Sequence, residues 1–406
     1  MIDGRKILSI IGIALLITSC NNKNSSSNSG NPSSSSSQSD KPTELVPHVG
    51  EVRKLFDHGV DGENFFYNYC PTIFNEGHKQ YIYYCSNQKE HNVTDYIAYR
   101  EGTIKDNQET TTEISYVLEH SSLGIWDSRH TCDPSVIKGE FKFHGETYNY
   151  MMAYLGCSSS NVTLNETGIA VSKTPEGPWV KCNFKLDGET KINPIVPYTD
   201  FDVNPDNWGT GQPSLVSVDK KGRVLLFTTI GASNGTFTNI REYDFSNIDE
   251  YVLIRERKKI TTEGIRAFRT GGDLINNADF SYDETNRRIL MVKGRQPFGL
   301  DNKSPSIVAD TLDVYYIDDT EGTNIGDVLF AGNNTDMQWR LIGSIDQSVT
   351  GFLRNHNACL ITDEYGHHIN NGRVGVGFSK SDEGQGSDWS FLCTYRIYAT
   401  ALEYNN

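Results

Sequence analysis

Asp133-Pro134-Ser135-Val136-Ile137 runs from a polar residue through proline and a small side chain into an apolar strand. The same order, with Pro or Ala second and a small or polar residue third, recurs as Cys70-Pro71-Thr72-Ile73-Phe74, Gln212-Pro213-Ser214-Leu215-Val216, Asn277-Ala278-Asp279-Phe280 and Asn357-Ala358-Cys359-Leu360-Ile361. The starts are spaced by 63, 79, 65 and 80 residues, room for one four-stranded sheet each. After each motif comes a turn and a second β-rich run: 80–84, 148–155, 224–230, 289–292 and 373–378. Third strands are legible at 168–172 and 312–317, and no segment past residue 60 sustains a helical period. The pattern predicts an all-β, five-bladed β-propeller with the motifs as innermost strands. Only 49 residues follow Asn357, so the segment before Cys70 is expected to supply a strand that closes the ring.

Working outward, the chain has 406 residues, 36% hydrophobic and 22% charged, with a net charge of -15. Only the first twenty residues hold an uncharged apolar run, which excludes a polytopic membrane protein. The acidic balance argues against nucleic-acid or anionic-lipid binding, both of which need a positive face. A neutral, polyhydroxylated partner, a carbohydrate, is expected, and the protein is expected to be a monomer.

Arg5 and Lys6 precede an apolar stretch from Ile7 to Ile17, the form of a secretory signal and too short for a permanent span of about 20 residues. Ile17-Thr18-Ser19-Cys20 resembles a bacterial lipobox, which makes Cys20 the expected lipidation site. Residues 21–41 are almost all Ser, Asn, Lys and Gly and read as a flexible tether. The expected organisation is a signal over 1–19, lipidated Cys20 and linker over 20–44, and the propeller over 45–406. The expected location is the extracellular face of the cell membrane, held only by the lipid. Cleavage after residue 19 removes Arg5, Lys6 and Asp3 and takes the net charge from -15 to -16. The Asn-X-Thr triplets, such as Asn161-Val162-Thr163, carry no expectation of glycosylation in a bacterial lipoprotein.

In a propeller the inner strands begin at the channel mouth, so Cys70, Asp133, Gln212, Asn277 and Asn357 should form a ring there. Loops 85–95, 157–166 and 294–311, the last with Arg295, return to the same mouth. Neutral hydrogen-bonding groups with aromatic side chains nearby suit a sugar. Trp126 and Trp208 are candidates for its platform, whereas Trp179 reads as core. His367 and His368, in a Tyr-Gly-His-His turn, are expected to be solvated.

Five such blades, the Asp133-Pro134-Ser135-Val136 opening, and the run Gly168-Ile169-Ala170-Val171-Ser172-Lys173-Thr174-Pro175-Glu176-Gly177-Pro178-Trp179 resemble glycoside hydrolase family 43 and its fructosidase-like relatives. The resemblance covers about residues 62–406 and is strongest in blade two. It implies an aspartate base on blade one, an aspartate on blade two that tunes pKa and orients substrate, and a glutamate acid on blade three. Asp133 matches the second role; Cys70 and Gln212 stand at the other two positions. Glutamine cannot titrate, and an ordinary thiol is a poor acid toward a sugar oxygen. A pair of carboxyl groups is the usual requirement for glycoside hydrolysis.

Substitutes near the mouth are Glu166, which enters the third strand of blade two, and Asp127 with Arg129 and His130 just before its inner strand. Asp279, two residues into its strand, returns to the channel side. Asp133 and Glu166 are the expected catalytic pair. Cys70, Trp126, Asp127, Arg129, His130, Trp208, Gln212, Asn277, Asp279, Arg295, His356 and Asn357 are expected to contact substrate. In arabinan-cleaving relatives a histidine at the place of His356 faces a channel cation, which implies a calcium ion there; no other cofactor is expected. A Cys70 nucleophile would need a base such as His130.

Seven cysteines remain after Cys20 and none lies in a CxxC pair, so no zinc site is expected. Cys70, Cys85, Cys132 and Cys157 should share the mouth, as free thiols or with one disulfide. Two function classes follow. One is an enzyme that hydrolyses glycosidic bonds of oligo- or polysaccharides with relocated carboxyls. The other is a glycan-binding or adhesion lipoprotein that kept the pocket and lost the acid and base. The family resemblance favours the enzyme, whereas Cys70 and Gln212 favour binding; the balance falls to the enzyme.

Overall fold

The structure, a computed structural model, describes residues 47–404 apart from 57–66, 88–92, 106–107, 160–162, 185–192, 201–203, 205–206, 234, 267–273, 296–307, 321, 332–336 and 382–392. Cys20, the signal and the linker lie outside the described residues, as do parts of the three mouth loops.

The chain begins with β1 (His48–Val49) and β2 (Arg53–Lys54). Blade one is β3 (Asn68–Glu76), β4 (Lys79–Ser86) and β5 (Tyr96–Lys105), edged by β6 (Gln108–Thr111) and β7 (Ser115–Leu118). Blade two is β8 (His130–Phe143), β9 (Glu146–Cys157), β10 (Glu166–Ser172) and β11 (Val180–Lys181). Blade three is β12 (Gly209–Ser217), β13 (Arg223–Ala232), β14 (Gly235–Asp244) and β15 (Val252–Lys259). Blade four is β16 (Ala278–Asp283), β17 (Arg288–Gly294), β18 (Leu312–Asp318) and β19 (Arg340–Ile345). Blade five is β20 (Arg354–Asp363), β21 (Arg373–Ser381) and β22 (Arg396–Glu403).

These strands form the five-bladed, all-β propeller that the repeats predict. Both β1 and β2 pair antiparallel with β22, so the start of the folded chain completes blade five. Blades five and one also meet through parallel pairing of β20 with β3, from Ile361↔Ile73 to Asp363↔Asn75. Each seam between neighbouring blades encloses its own apolar cluster. Ile137, Met151 and Ile169 meet Leu215, Leu226 and Tyr243 between blades two and three. Phe74, Tyr83 and Tyr99 meet Met152 and Tyr154 between blades one and two. Alternation of side chains along each strand supplies both faces, which is why the runs read as nearly continuous apolar stretches.

The motif itself is a strand broken on purpose. Cys70, Asp133, Gln212, Asn277 and Asn357 all have left-handed backbone, with φ of 52, 47, 47, 47 and 44°. Such φ values cost a non-glycine residue on the order of 1–3 kcal/mol, with Asn and Asp the more tolerant. Register slips there between Tyr69 and Thr72, Cys132 and Ser135, Gly211 and Ser214, and His356 and Cys359. Four of the inner strands therefore begin before the motif, not at it, and the bulge turns the motif residue toward the channel. Proline after the bulge at 71, 134 and 213 suits a position with no ladder bond to donate.

The third motif residue ties the blades into a hoop. Leu215 N–H donates to Ser135 Oγ at 2.9 Å, Phe280 N–H to Ser214 Oγ at 3.0 Å and Leu360 N–H to Asp279 Oδ2 at 2.8 Å. Ile73 N–H donates to the Cys359 sulfur, and at the remaining seam the Thr72 hydroxyl donates to the Pro134 carbonyl.

The far end of the channel is crossed by the β20–β21 turn. Ser217 N–H donates to Tyr365 O at 3.0 Å, Lys138 N–H to Glu364 O, and His368 N–H to Tyr282 O at 2.8 Å, so this turn touches blades two, three and four. Gly366, at φ 76°, packs where a Cβ would lie 2.6 Å from Leu215 O. His367, expected in solvent, is instead buried, its Nε2 2.7 Å from Ser217 O and its Nδ1 3.0 Å from Glu284 Oε1. The turn folds inward, and blade five's hairpin plugs the far end of the ring.

Candidate functional site

The five motif triplets line the channel: Cys70 to Thr72, Asp133 and Pro134, Gln212 and Pro213, Asn277 to Asp279, and Asn357 to Cys359. Its cavity volume is about 30 Å³, the space of one or two waters and not of a sugar ring. A saccharide would have to sit above the ring, against the mouth. Among the described residues Glu166 is not part of the channel lining.

Asp133 is buried at the inner edge of blade two. Burial pushes its carboxyl up to about 6; a hydrogen bond from the Cys70 thiol opposes the shift, the Asp95 charge adds to it, and the Gln212 backbone N–H opposes it. Its own N–H faces Cys85 Sγ at 3.0 Å. Cys85 and Cys132 form a disulfide that joins the end of β4 to β8, across the seam of blades one and two. With Leu155, Tyr69, Cys70 and Trp208 it forms an apolar patch beside Asp133. Burial, with the nearby Asp133 carboxylate, raises the Cys70 thiol well above the ordinary cysteine value, so Cys70 is held as a hydrogen-bond donor and not as a thiolate nucleophile.

Glu166 opens β10 and is likewise buried. Burial lifts its carboxyl to about 7; the Tyr198 N–H, 3.3 Å from Oε1, opposes this, and Asp127 and Asp200 add to it. Asp127 is fully buried, its Oδ2 accepting from Tyr154 Oη at 3.1 Å and pairing with Lys181 Nζ at 2.5 Å. Trp126 stacks on Tyr154 with ring centroids 5.6 Å apart. It lies so close to β9 and β10 that a Cβ on Gly156 or Gly168 would fall 2.5 or 2.6 Å from its ring. Gly156 in β9 and Gly168 in β10 are thus explained by an aromatic ring laid over them. Arg129 is exposed, its N–H bonded to Cys157 O at 2.9 Å.

On the other side of the ring the polar groups are spent on one another. Asn277 N–H donates to Gln212 Oε1 at 3.0 Å, and the two side-chain amides meet. Asp279 is also pushed up to about 6 by burial, but Ser214 Oγ, at 2.7 Å, and Leu360 N–H hold one oxygen each. His356 has Ala309 N–H 3.2 Å from Nδ1 and Asn277 Nδ2 3.4 Å from Nε2. Burial, helped by Arg354, draws its pKa down to about 3, which keeps the imidazole neutral. Arg295 forks onto Asp313 at 2.6 and 3.0 Å and reaches Ser344 Oγ at 2.8 Å, inside blade four. Asn357 is buried in the ring with no partner for Oδ1 among the described residues.

The residue missed in the sequence is Asp95, just before β5. Its Oδ1 accepts from Tyr67 Oη at 2.7 Å, its Oδ2 accepts from Tyr69 Oη at 3.3 Å, and His130 Nδ1 lies 3.2 Å from Oδ2. A signal existed: Asp95 precedes the third strand of blade one much as Glu166 opens that of blade two.

A buried carboxyl at the mouth of a plugged five-bladed ring defines the class of architecture. No family model matches the sequence, and no curated protein matches it. Its fold is similar to that of the α-L-arabinofuranosidase PaAbf62A from Podospora anserina in complex with cellotriose, with a TM-score of 0.53 at 12% identity over 89% of this chain and 98% of that one. It is similar to Zg3597, a family 117 glycoside hydrolase of the marine bacterium Zobellia galactanivorans, with a TM-score of 0.51 at 10% identity over 88% and 92%. It is also similar to an α-L-arabinofuranosidase from Lactobacillus brevis, with a TM-score of 0.52 at 7% identity over 85% and 93%. The chain has the propeller fold of glycoside hydrolases. The likeness extends over several of their families and does not single out family 43.

Proposed function

We propose that this chain is a glycoside hydrolase, acting on oligo- or polysaccharides as a lipoprotein anchored through Cys20 on the extracellular face of the membrane. The observation that carries the reading is two buried carboxyls on blade two, Asp133 at the channel and Glu166 at the start of β10, both pushed up by burial, on a propeller fold shared with such enzymes. Hydrolysis needs one carboxyl to protonate the leaving oxygen and one carboxylate for water or the anomeric carbon. A carboxyl near 7 still holds its proton in part of the population at neutral pH, which suits Glu166 to donation. Asp133 orients the sugar at the mouth, over the patch made by Trp208 and Tyr69. Supporting a carbohydrate ligand, the Podospora neighbour is a complex with cellotriose.

The loss of carboxyls at Cys70 and Gln212 favours one other reading, a glycan-binding lipoprotein without turnover. A broad panel of aryl glycosides and plant-wall oligosaccharides separates the two. Turnover by the wild type, abolished in Asp133→Asn and Glu166→Gln with the fold intact, is expected. Binding on a glycan array with no turnover of any panel member would establish the second reading.

A further inference from the structure

The blade-two carboxyls are both displaced toward their protonated forms, and a hydrolytic site also needs a fixed charge. Asp95 is a third acid near the mouth, tied at both ends. Its N–H lies 3.1 Å from His130 Nδ1 and its carbonyl accepts Thr131 N–H at 3.1 Å, so its backbone is fastened to the start of β8. Both side-chain oxygens are engaged by tyrosine hydroxyls. The Tyr69 hydroxyl that reaches Asp95 is also 3.1 Å from Cys132 Sγ, which is in turn 3.2 Å from Asp133 Oδ1. Asp95 and Asp133 are thus separated by one phenol and one disulfide sulfur, in a region where both carboxyls are largely excluded from water.

An acid beside an acid in such a place is unfavourable for the fold. A neutral acceptor would satisfy the same hydroxyls without repelling Asp133, and like charges maintained at short range are characteristic of working sites. We propose that Asp95 is a positioning residue of this site: held by the Tyr67 and Tyr69 hydroxyls, it acts on Asp133 through its charge. This deepens the hydrolase reading and rests on it. The other groups facing Asp133 are the Cys70 thiol and the Gln212 N–H, which pull the opposite way, and Tyr69. Around Asp95 stand Tyr67, Tyr69 and His130, and both Asp95 and Arg129 act on Cys157.

The test is a pH titration of the full chain with ¹³C-labelled aspartate, followed by NMR, which needs no turnover. Asp95→Asn is expected to lower the Asp133 midpoint by about one pH unit. Tyr67→Phe removes a contact of Asp95 and keeps its charge, and is expected to leave the midpoint in place. An unchanged midpoint in folded Asp95→Asn, or an equal drop in Tyr67→Phe, overturns the proposal. Should Asp95→Asn fail to fold, the reciprocal measurement decides. The wild-type Asp95 resonance should show an inflection at the Asp133 midpoint that vanishes in Asp133→Asn, and its persistence there overturns the proposal. A wild type that turns over no glycoside while the midpoint still falls refutes the hydrolase reading and supports the coupling.

Discussion

Asp133 and Asp279 lie in the same channel and burial pushes both to about 6, yet they are differently placed. Around Asp279 each oxygen is held by a neighbouring blade, through Ser214 Oγ and Leu360 N–H. Asp133 is met by a thiol, a backbone N–H and a second acid, and beside it lies an apolar patch with Trp208. The first arrangement closes a ring; the second leaves a carboxyl whose protonation is tuned. A raised pKa alone does not distinguish a joint from a working group. The partners do.

The sharpest way to break this comparison is by activity. Asp133→Asn should lower turnover by about 10²–10⁴-fold with the fold retained, whereas Asp279→Asn should stay within about tenfold. Equal losses in steady-state assays would mean that Asp279 also works on substrate. Stability should separate the two in the opposite sense. Asp279→Ala leaves Leu360 N–H and Ser214 Oγ without their acceptor and should cost about 2–3 kcal/mol, read as a lower urea midpoint at unchanged m-value.

The pH dependence follows from the direction of the shifts. Both carboxyls hold protons in the native state that the unfolded chain releases above an ordinary aspartate value of 3.8. Stability from each is full below about pH 4, falls as pH rises to about 6 and stays lower above. Glu166 extends the decline toward pH 7. Replacing Asp279 by Asn should flatten the decline by on the order of 2 kcal/mol, seen by urea denaturation at pH 4 through 7. A decline as steep as wild type would show that Asp279 is not a titrating group there. The smallest effect concerns Cys70. Cys70→Ser keeps a donor for Asp133 and should change turnover by no more than a few-fold in the same assay. Complete loss would make the thiol itself essential.

The sequence exposed the five-fold order because proline or alanine, a small or polar residue and an apolar run recur at each inner strand. It also made Asp133 legible, since the residue before Pro134 had to face the mouth. What stayed hidden was the work of the third motif residue. Thr72, Ser135, Ser214 and Cys359 read as merely small or polar, and Asp279 as a substrate contact, until the hoop shows each bonding across a seam. Asp95 was overlooked because a motif search follows inner strands, whereas Asp95 reaches the mouth by the loop before β5. His367 shows the converse failure: a Gly-His-His turn has no apolar signature, and only the closed ring brings it under cover.

The hoop also bears on how such a ring can change its chemistry over evolutionary time. Closure falls mainly on the third residue of each motif, with Asn277 and Gln212 adding a bond across one seam, while a left-handed backbone is common to all five first residues. The first residue is left to vary, and here it is Cys, Asp, Gln, Asn and Asn around one rim. Each is a seat at the channel mouth, so a carboxyl can be placed at 70 or 212 by a single substitution without touching the third residues that close the ring.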